Sequence, residues 1–311
     1  MFILLTGDSQ AGSASPGRFP SHAEADFTWW GITAPEMESA LSGGSSMPPV
    51  LVTRAARFLA DFPTLVVRCG SRTAPKCPYM ETGAPTGGDP AKGPALPGAG
   101  MTWDSGFSLG RLLVGLDDRI VIGSSCPGDE VTARLFLKAL GYKAAALDYL
   151  PSYGEGPDSW EAASSRLGIR PGDLIGHGFK AASELGDPVI VVAAALTAGA
   201  MGGAKVLLSG GLPMLAAAAL LRDLGEKGRF SLAVTTRTER DLGGAFGDLS
   251  ALLDLEVRTV DLGETPDGAG ASGAALLAGE SGFTPERVLD RASRLREEIA
   301  GGAHPPEGCG R

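Results

Sequence analysis

Short apolar runs alternate along the chain with longer amphipathic segments. Six runs predict β-strands: FILLTGD, PTLVVRCGS, RIVIG, AKVLLSGG, FSLAVTT and LEVRTVDLG. Between them lie segments with apolar residues at helical spacing, such as PVLVTRAARFLADF, in which Leu51, Ala55, Phe58 and Leu59 share one face. Strands that alternate with helices predict an α/β fold, with a mostly parallel sheet and helices on both faces in a Rossmann-like three-layer arrangement.

Two long stretches interrupt this alternation. Residues Ser71 to Gly100 are rich in Gly, Pro and Thr and predict a long functional or mobile loop, followed by a helix in FSLGRLLVGL. A second loop is predicted in LDYLPSYGEGPDS, before a buried helix in GDPVIVVAAALTAGAMGG. We expect residues 1–311 to form a single α/β domain, with a small helical subdomain contributed by terminal and loop segments.

The turns that follow the predicted strands indicate where a ligand would bind. Parallel α/β sheets bind ligands at the carboxyl ends of their strands. The turns TGDSQ, RCGS, GSSCPGDE, SGGLP and VTTRTE should therefore lie at one edge of the sheet. This arrangement would bring together Gly7, Gly70, Gly123, Gly211 and Thr236.

Composition and charge narrow the function classes. The formal net charge is −9 and no run of Lys or Arg is present, which argues against nucleic-acid and phospholipid partners. Four cysteines occur without a C-x-x-C pair and three histidines are far apart, so we expect no metal site and no cofactor. The longest nearly apolar run, Val189 to Met201, is too short to span a bilayer, and no signal peptide is evident, so a cytoplasmic protein is expected.

Two glycine-rich turns resemble nucleotide-binding motifs only in part. GSSCPGDEVT matches the first half of a P-loop at Gly123 and Gly128, but Asp129 and Glu130 replace the required lysine and hydroxyl and would repel phosphates. GAGASG, residues 268–273, matches G-x-G-x-x-G but has no acidic residue at the right distance. A nucleotide triphosphatase and a nucleotide-dependent dehydrogenase are therefore disfavoured.

Five motifs, in order and spacing, resemble one enzyme family. They are PVLVTRAARFLADFPTLVVRCGSRTAPKCPYMETGAP, IGSSCPGDEVTARLFLKALGY, LGDPVIVVAAALTAGAMGGAKVLLSGGLPMLAAAALL, AVTTR and DGAGASGAALLA. Together they resemble the nicotinate-nucleotide:dimethylbenzimidazole phosphoribosyltransferases, in the shorter branch common in archaea. The chain is identified as a divergent member of that family.

The resemblance implies transfer of ribose phosphate from nicotinate mononucleotide to a benzimidazole-type base, which gives an α-riboside for the lower ligand of cobalamin. It also implies small-molecule substrates and a homodimer. The family's catalytic Glu falls on Asp267, which would remove the proton of the incoming azole. The substrate-binding positions that the motifs imply are Gly70, Ser124, Gly128, Asp129, Glu130, Thr132, Asp187, Gly210, Gly211, Thr236, Arg237, Gly268 and Gly270.

Several motif positions depart from the family pattern. Its Gly-Thr-Thr becomes Asp129-Glu130-Val131, the acid before that turn becomes Ser124, and its Thr-Gln becomes Leu212-Pro213. These changes favour an alternative, a non-catalytic or repurposed homologue that binds a nucleotide, nucleoside, azole base or protein partner. We expect Asp129 and Glu130 either to occupy the helix start in place of a phosphate or to face a different ligand.

Structural interpretations compete with functional ones at other positions. For Asp187 the competing interpretation is a helix cap, and for Asp267 it is a turn residue. Cys126 is expected to be a small buried residue, and His177 a structural or exposed one. Arg237 could reach a phosphate or lie at the surface, and Arg72 and Lys76 are further candidates for an anion site.

Overall fold

A computed structural model of the chain describes residues 1–11, 19–35, 37–38, 46–142 and 159–301. The predicted loop LDYLPSYGEGPDS and Cys309 lie largely or wholly outside these residues. The described strands are β1 (Phe2–Thr6), β2 (Thr64–Arg68), β3 (Tyr79–Glu81), β4 (Arg119–Ser125), β5 (Lys205–Ser209), β6 (Ser231–Thr235) and β7 (Glu256–Val260).

The described helices are α1 (Ser21–Trp30), α2 (Pro49–Ala60), α3 (Ala99–Leu113), α4 (Asp129–Ala139), α5 (Ser159–Leu167), α6 (Gly178–Leu185), α7 (Pro188–Ala200), α8 (Leu212–Asp223), α9 (Thr236–Leu242), α10 (Gly244–Leu252), α11 (Ala271–Glu280) and α12 (Pro285–Ala300).

The seven described strands form one parallel sheet in the order β3-β2-β1-β4-β5-β6-β7. The chain builds outwards from β1 to β3, then returns to the other side of β1 with β4. The strand order therefore reverses between β1 and β4, which is the position where doubly wound sheets open a crevice at their carboxyl edge.

Helices cover both faces of the sheet and confirm the three-layer α/β prediction. Alternate residues of β1 enter opposite cores: Ile3 and Leu5 contact the layer that contains α3, α4, α7 and α8, whereas Phe2 and Leu4 contact the layer of α1, α2, α11 and α12. This period of two is the normal consequence of strand geometry. The division into a main domain and a small helical subdomain stays a prediction.

The structure corrects several details of the sequence-based assignment. Strand β3 lies inside the segment predicted as a long loop, and α3 begins at Ala99 rather than near Phe107. Helices α1, α9 and α10 were not anticipated. Phe58, expected on the buried face of α2, is 58% exposed, and the Arg291 guanidinium lies 4.6 Å from the centroid of its ring.

Candidate functional site

The glycine turns meet at the carboxyl edge of the sheet, as expected. Gly7, Gly70, Gly211 and Thr236 all follow the carboxyl end of a parallel strand. Gly123 instead lies within β4. A Cβ atom there would come 2.5 Å from Gly270 Cα, so this glycine is needed for the contact of β4 with the turn before α11.

An open cleft lies beyond the ends of β4, β5 and β6. Its walls come from the starts of α4 and α8, from α9, and from the segment that precedes α11. The lining residues are Ser124, Asp129, Glu130, Arg134, Gly210, Gly211, Leu212, Pro213, Thr238, Asp241, Leu242, Pro266, Asp267 and Gly268. We define this set as the cleft.

Asp267 lies in the wall of the cleft, and its carboxylate is held in place. Its Oδ2 accepts a hydrogen bond from the Thr235 N–H at 3.0 Å, and its Oδ1 accepts one from the Ser272 hydroxyl at 2.9 Å. The Asp267 N–H in turn donates to Thr238 Oγ1 at 3.1 Å. These bonds tie the segment before α11 to the start of α9, so Asp267 is both a turn residue and a carboxylate in the cleft wall.

A hydroxyl network fixes the orientation of this carboxylate from below. Ser209, at the end of β5, lies 3.0 Å from Ser272 (Oγ to Oγ) and accepts a 2.7 Å hydrogen bond from the Gly273 N–H. The Ser272 hydroxyl has one proton and two acceptors, Asp267 Oδ1 at 2.9 Å and the Ala233 carbonyl at 3.1 Å, and it can itself accept from the Ser209 hydroxyl. A Cβ on Gly273 would come 2.7 Å from Ser209 Cβ. Glycine at the end of GAGASG therefore allows close contact between α11 and β5.

The start of α4 places two acids at the cleft. Gly128 precedes the helix with a φ of 92°, a left-handed conformation that suits glycine. Asp129 is buried and Glu130 half-buried, and both line the cleft. One turn further along the same face, Arg134 also lines it, because residues four apart in a helix are neighbours.

Thr132 and Asp187 form a buried pair beneath this helix start rather than lining the cleft. The Thr132 hydroxyl donates to Asp187 Oδ2, and the Ile190 N–H donates to Asp187 Oδ1 at 2.9 Å, which caps α7. Burial raises the pKa of Asp187 to about 6 from its ordinary value of 3.8. The pair joins α4 to α7 and supports the helix-cap interpretation of Asp187.

Thr236 and Arg237 begin α9 at the rim. The Thr236 hydroxyl donates to Asp261 at 3.3 Å. Arg237 donates from Nε to Asp241 at 2.7 Å and forms an ion pair with Glu264 at 3.1 Å. These carboxylates hold the guanidinium at the surface, beside the cleft residue Asp241.

Gly70 belongs to a different part of the edge, above β1 and β2. Its φ is 86°, and a Cβ there would come 2.3 Å from the Pro85 carbonyl oxygen. Two side-chain carboxylates hold the segment after it through hydrogen bonds from backbone N–H groups. The Arg72 N–H donates to the Asp8 carboxylate at 2.7 Å, and the Lys76 N–H donates to the Asp26 carboxylate at 2.7 Å. The long loop therefore covers these strand ends.

The three described cysteines, Cys69, Cys77 and Cys126, are buried, and His177 is exposed before α6. Cys126 is buried, and burial raises the pKa of its thiol well above the ordinary value, so a thiolate is disfavoured. His177 precedes α6, and its backbone contacts Leu174 and Ala181. Within the described part of the chain, no group of three His, Cys, Asp or Glu side chains is arranged to hold a metal ion.

About half of the site residues that the family resemblance implies line the cleft. Ser124, Asp129, Glu130, Gly210, Gly211, Asp267 and Gly268 line it. The cleft is also lined by Arg134, Thr238 and Asp241, which the sequence analysis did not identify as site residues. Arg134 follows Glu130 by one helical turn, so helical periodicity alone could have indicated it. Thr238 and Asp241 lie on α9, which carries too little apolar periodicity to be recognised.

None of the described helices is both long and apolar enough to cross a membrane. No family model matches the chain. The UPF0284 protein of Pyrococcus furiosus is 35% identical over 96% of this chain and 98% of its own length. The UPF0284 protein of Halobacterium salinarum is 31% identical over 95% of this chain and 94% of its own length.

Two solved structures from Thermus thermophilus share the fold. One is the nicotinate-nucleotide-dimethylbenzimidazole phosphoribosyltransferase and the other is CobT. Each has a TM-score of 0.59 and 17% sequence identity, and each match covers 98% of this chain and 86% of the other.

Proposed function

This chain belongs to the UPF0284 family and has the fold of a nicotinate-nucleotide-dimethylbenzimidazole phosphoribosyltransferase, and we propose that it transfers phosphoribosyl from nicotinate mononucleotide to a benzimidazole-type base. The bond between the ribose C1′ and the pyridinium nitrogen breaks, and its electron pair returns to the ring as neutral-nitrogen nicotinate. A nitrogen of the azole forms the new bond to C1′, and the azole loses its N–H proton. The product is an α-ribazole phosphate, as cobalamin lower-ligand assembly would require.

The position of Asp267 carries this proposal. The leaving group is a pyridinium and needs no proton, whereas the azole must lose one, so the reaction needs a single base. Asp267 lies in the cleft wall with two oxygens oriented by Thr235 and Ser272. These two hydrogen bonds fix the orientation of the carboxylate in the cleft wall, where we propose that it accepts the azole proton.

The surrounding charge also suits this chemistry. Asp129, Glu130 and Asp241 line the cleft with Asp267. A nicotinate nucleotide carries a cationic ring, and positive charge develops at C1′ as the glycosidic bond breaks. Fixed carboxylates near such charge lower the barrier most when water is excluded.

The implied site residues take different parts in this proposal. Ser124, Gly210, Gly211 and Gly268 are proposed to contact the substrates with Asp129 and Glu130, and Thr236 and Arg237 to border them. Gly128 and Gly270 allow the left-handed turns that position the helix starts. The other implied residues are proposed to support the carboxyl edge of the sheet: Gly70 lies beside the cleft, and the Thr132–Asp187 pair lies beneath it. Small-molecule substrates, a homodimer and a cytoplasmic location belong to the same proposal.

The alternative is a homologue that binds such a ligand without transfer. Pro213 and Leu212 at the start of α8, and the two acids at the start of α4, favour it because they alter polar positions that the family pattern keeps. In that case the same cleft holds a nucleoside or azole base, and Asp267 is only the residue that fixes the turn.

One incubation distinguishes phosphoribosyl transfer from binding without transfer. The protein is mixed with nicotinate mononucleotide and 5,6-dimethylbenzimidazole, and the products are separated by chromatography. We expect free nicotinate and α-ribazole phosphate in equal amounts, and neither when one substrate is omitted. Absence of both products, together with calorimetric binding of either compound, would contradict transfer and support the alternative.

A further inference from the structure

Backbone donors at the start of α4 are largely occupied. A helix start normally attracts anions through its unpaired N–H groups and the helix dipole. Here the Asp129 N–H donates to the Cys126 carbonyl at 3.1 Å, and the Val131 N–H donates to the Gly128 carbonyl at 3.2 Å. The carboxylates of Asp129 and Glu130 also lie at this end, where negative charge already compensates the dipole.

The start of α8 also has fewer backbone donors than most helix starts, because Pro213 lies in its first turn. Pro213, in its first turn, has no N–H. The Met214 and Leu215 N–H groups donate to the Gly211 carbonyl at 3.2 and 3.1 Å, and the Gly210 N–H donates to Ala233 at 3.0 Å. Part of the N–H groups at the two helix starts that border the cleft is therefore already used within the chain, and Pro213 supplies none.

The side chains that line the cleft include a cation that can bind an anionic group. Among the described lining residues, Arg134 is the guanidinium beside four carboxylates. Its Nε–H donates to the Glu130 carbonyl at 3.4 Å, which directs the side chain back towards the start of α4 and hence towards the cleft. Guanidinium groups bind carboxylates and phosphates through paired, charge-assisted hydrogen bonds.

We propose that Arg134 is the residue that recognises the anionic group of the substrate in this cleft, either the ring carboxylate or the 5′-phosphate of the nicotinate nucleotide. The inference rests on the proposed function for the identity of the ligand. Neighbouring Asp129 and Glu130 compete with the substrate anion for the guanidinium. Binding should therefore be specific in position, moderate in strength and weakened by salt.

Four related probes test this inference by calorimetry. Nicotinate mononucleotide carries both anionic groups, nicotinamide mononucleotide only the phosphate, nicotinate riboside only the carboxylate, and nicotinamide riboside neither. In Arg134→Gln, affinity should fall about 10- to 100-fold for each probe that carries the recognised group, the usual range for a lost charge-assisted hydrogen bond. Affinity for nicotinamide riboside should not change. The pattern across the four probes identifies which anion Arg134 binds.

Two further variants sharpen the test. Arg134→Lys keeps the charge but loses the paired geometry, so it should recover only part of the affinity. Lys138→Gln removes one positive charge a single turn further along α4, where the Lys138 ammonium lies 5.3 Å from the centroid of the Trp160 ring, and should leave all four affinities unchanged. Thermal unfolding of each variant checks that the fold is intact.

Several outcomes would overturn the inference: equal affinities in wild type and Arg134→Gln, an equal loss in Lys138→Gln, a loss for nicotinamide riboside, or no binding of any probe to the wild type. Turnover of nicotinate mononucleotide with the benzimidazole is measured separately from binding. Binding that depends on Arg134 without any turnover contradicts only the proposed function. Turnover with binding that does not depend on Arg134 contradicts only this inference.

Discussion

The carboxyl edge of the sheet has two halves that begin with similar glycine turns and end differently. In the covered half, above β1 and β2, the segment after Gly70 closes over the strand ends, and the start of α7 is capped by its own Asp187. In the open half, beyond β4, β5 and β6, the strand ends border the cleft, and polar side chains line it.

The contrast shows that a glycine after a strand has two different uses. At Gly70 the missing side chain lets one backbone segment approach another, because a Cβ would come 2.3 Å from a carbonyl oxygen. At Gly211 the nearest atom to such a Cβ is Thr238 Cγ2, a side-chain atom 3.2 Å away that lines the cleft. The first use closes the scaffold, and the second keeps the cleft open.

The largest expected effect is on catalysis in the open half. Asp267→Asn should lower turnover by about 10²–10⁴, the usual contribution of a general base, while nicotinate mononucleotide binding weakens much less. The matched control is Asp223→Asn. Asp223 also accepts hydrogen bonds from two backbone N–H groups, those of Gly176 and Gly178, but lies at the far end of α8. Steady-state kinetics that show equal losses in both variants, or wild-type turnover in Asp267→Asn, would remove Asp267 from the mechanism.

The next effect is on stability in the covered half. Gly70→Ala combines a left-handed φ of 86° with a backbone clash and should lower the free energy of unfolding by about 2–5 kcal/mol. Gly83→Ala is the control, because its φ of 73° is similar but no atom lies within 4 Å of the added Cβ. It should lose only about 1–2 kcal/mol. Urea unfolding measures both, and equal losses would mean that the loop does not close tightly over β2.

Asp187 adds a pH dependence to the covered half. Because burial raises its pKa in the folded state to about 6, the folded protein holds this proton more tightly than the unfolded chain, whose value is near 3.8. The stability gained from protonation is complete below pH 3.8 and is lost as the pH rises through about 6. Relative to Asp187→Asn, wild type should lose about 1.4 kcal/mol per pH unit within that window, about 3 kcal/mol in all.

Urea unfolding of wild type and Asp187→Asn at half-unit steps from pH 4 to 8 measures this difference directly. The asparagine keeps an oxygen that can accept the Ile190 N–H, so the cap survives while the titration disappears. A difference in unfolding free energy that stays constant with pH would show that Asp187 does not titrate in this range.

The smallest effect is expected from Gly211→Ala in the open half. The nearest atom to the added Cβ belongs to the Thr238 side chain, which can rotate away, so stability should fall by about 1 kcal/mol, less than for Gly70→Ala. The added methyl group narrows the cleft, and KM for the base should rise while kcat changes little. An unfolding loss as large as that of Gly70→Ala would erase the distinction between the halves.

The sequence predicted the sheet and most helices because their apolar periodicity is strong. It missed α9 and α10, where TRTERDL and GAFGDLSAL carry weak patterns, and it extended the loop over β3 and the first turns of α3. Three residues of β3, YME, are too few to show a period. Such elements are set by tertiary contacts rather than by local pattern.

The candidate site was predictable in part. Asp267 and the acids of α4 could be placed at one edge because parallel strands align their ends. Pairing between Thr132 and Asp187 could not be foreseen, since it depends on the approach of two helices 55 positions apart in sequence. The ties of Arg237 to Asp241 and Glu264 are likewise tertiary.

A crystal structure of Asp267→Asn with nicotinate mononucleotide and 5,6-dimethylbenzimidazole tests the central claim, that the open half is the site of phosphoribosyl transfer. The variant should retain both substrates unreacted. We expect the nucleotide in the cleft and the benzimidazole on the opposite side of C1′ from the nicotinate ring. The N–H nitrogen of the benzimidazole should lie within about 2.6–3.2 Å of the side chain at position 267. Substrates bound outside the cleft, or a base nitrogen that faces away from position 267, would contradict the account.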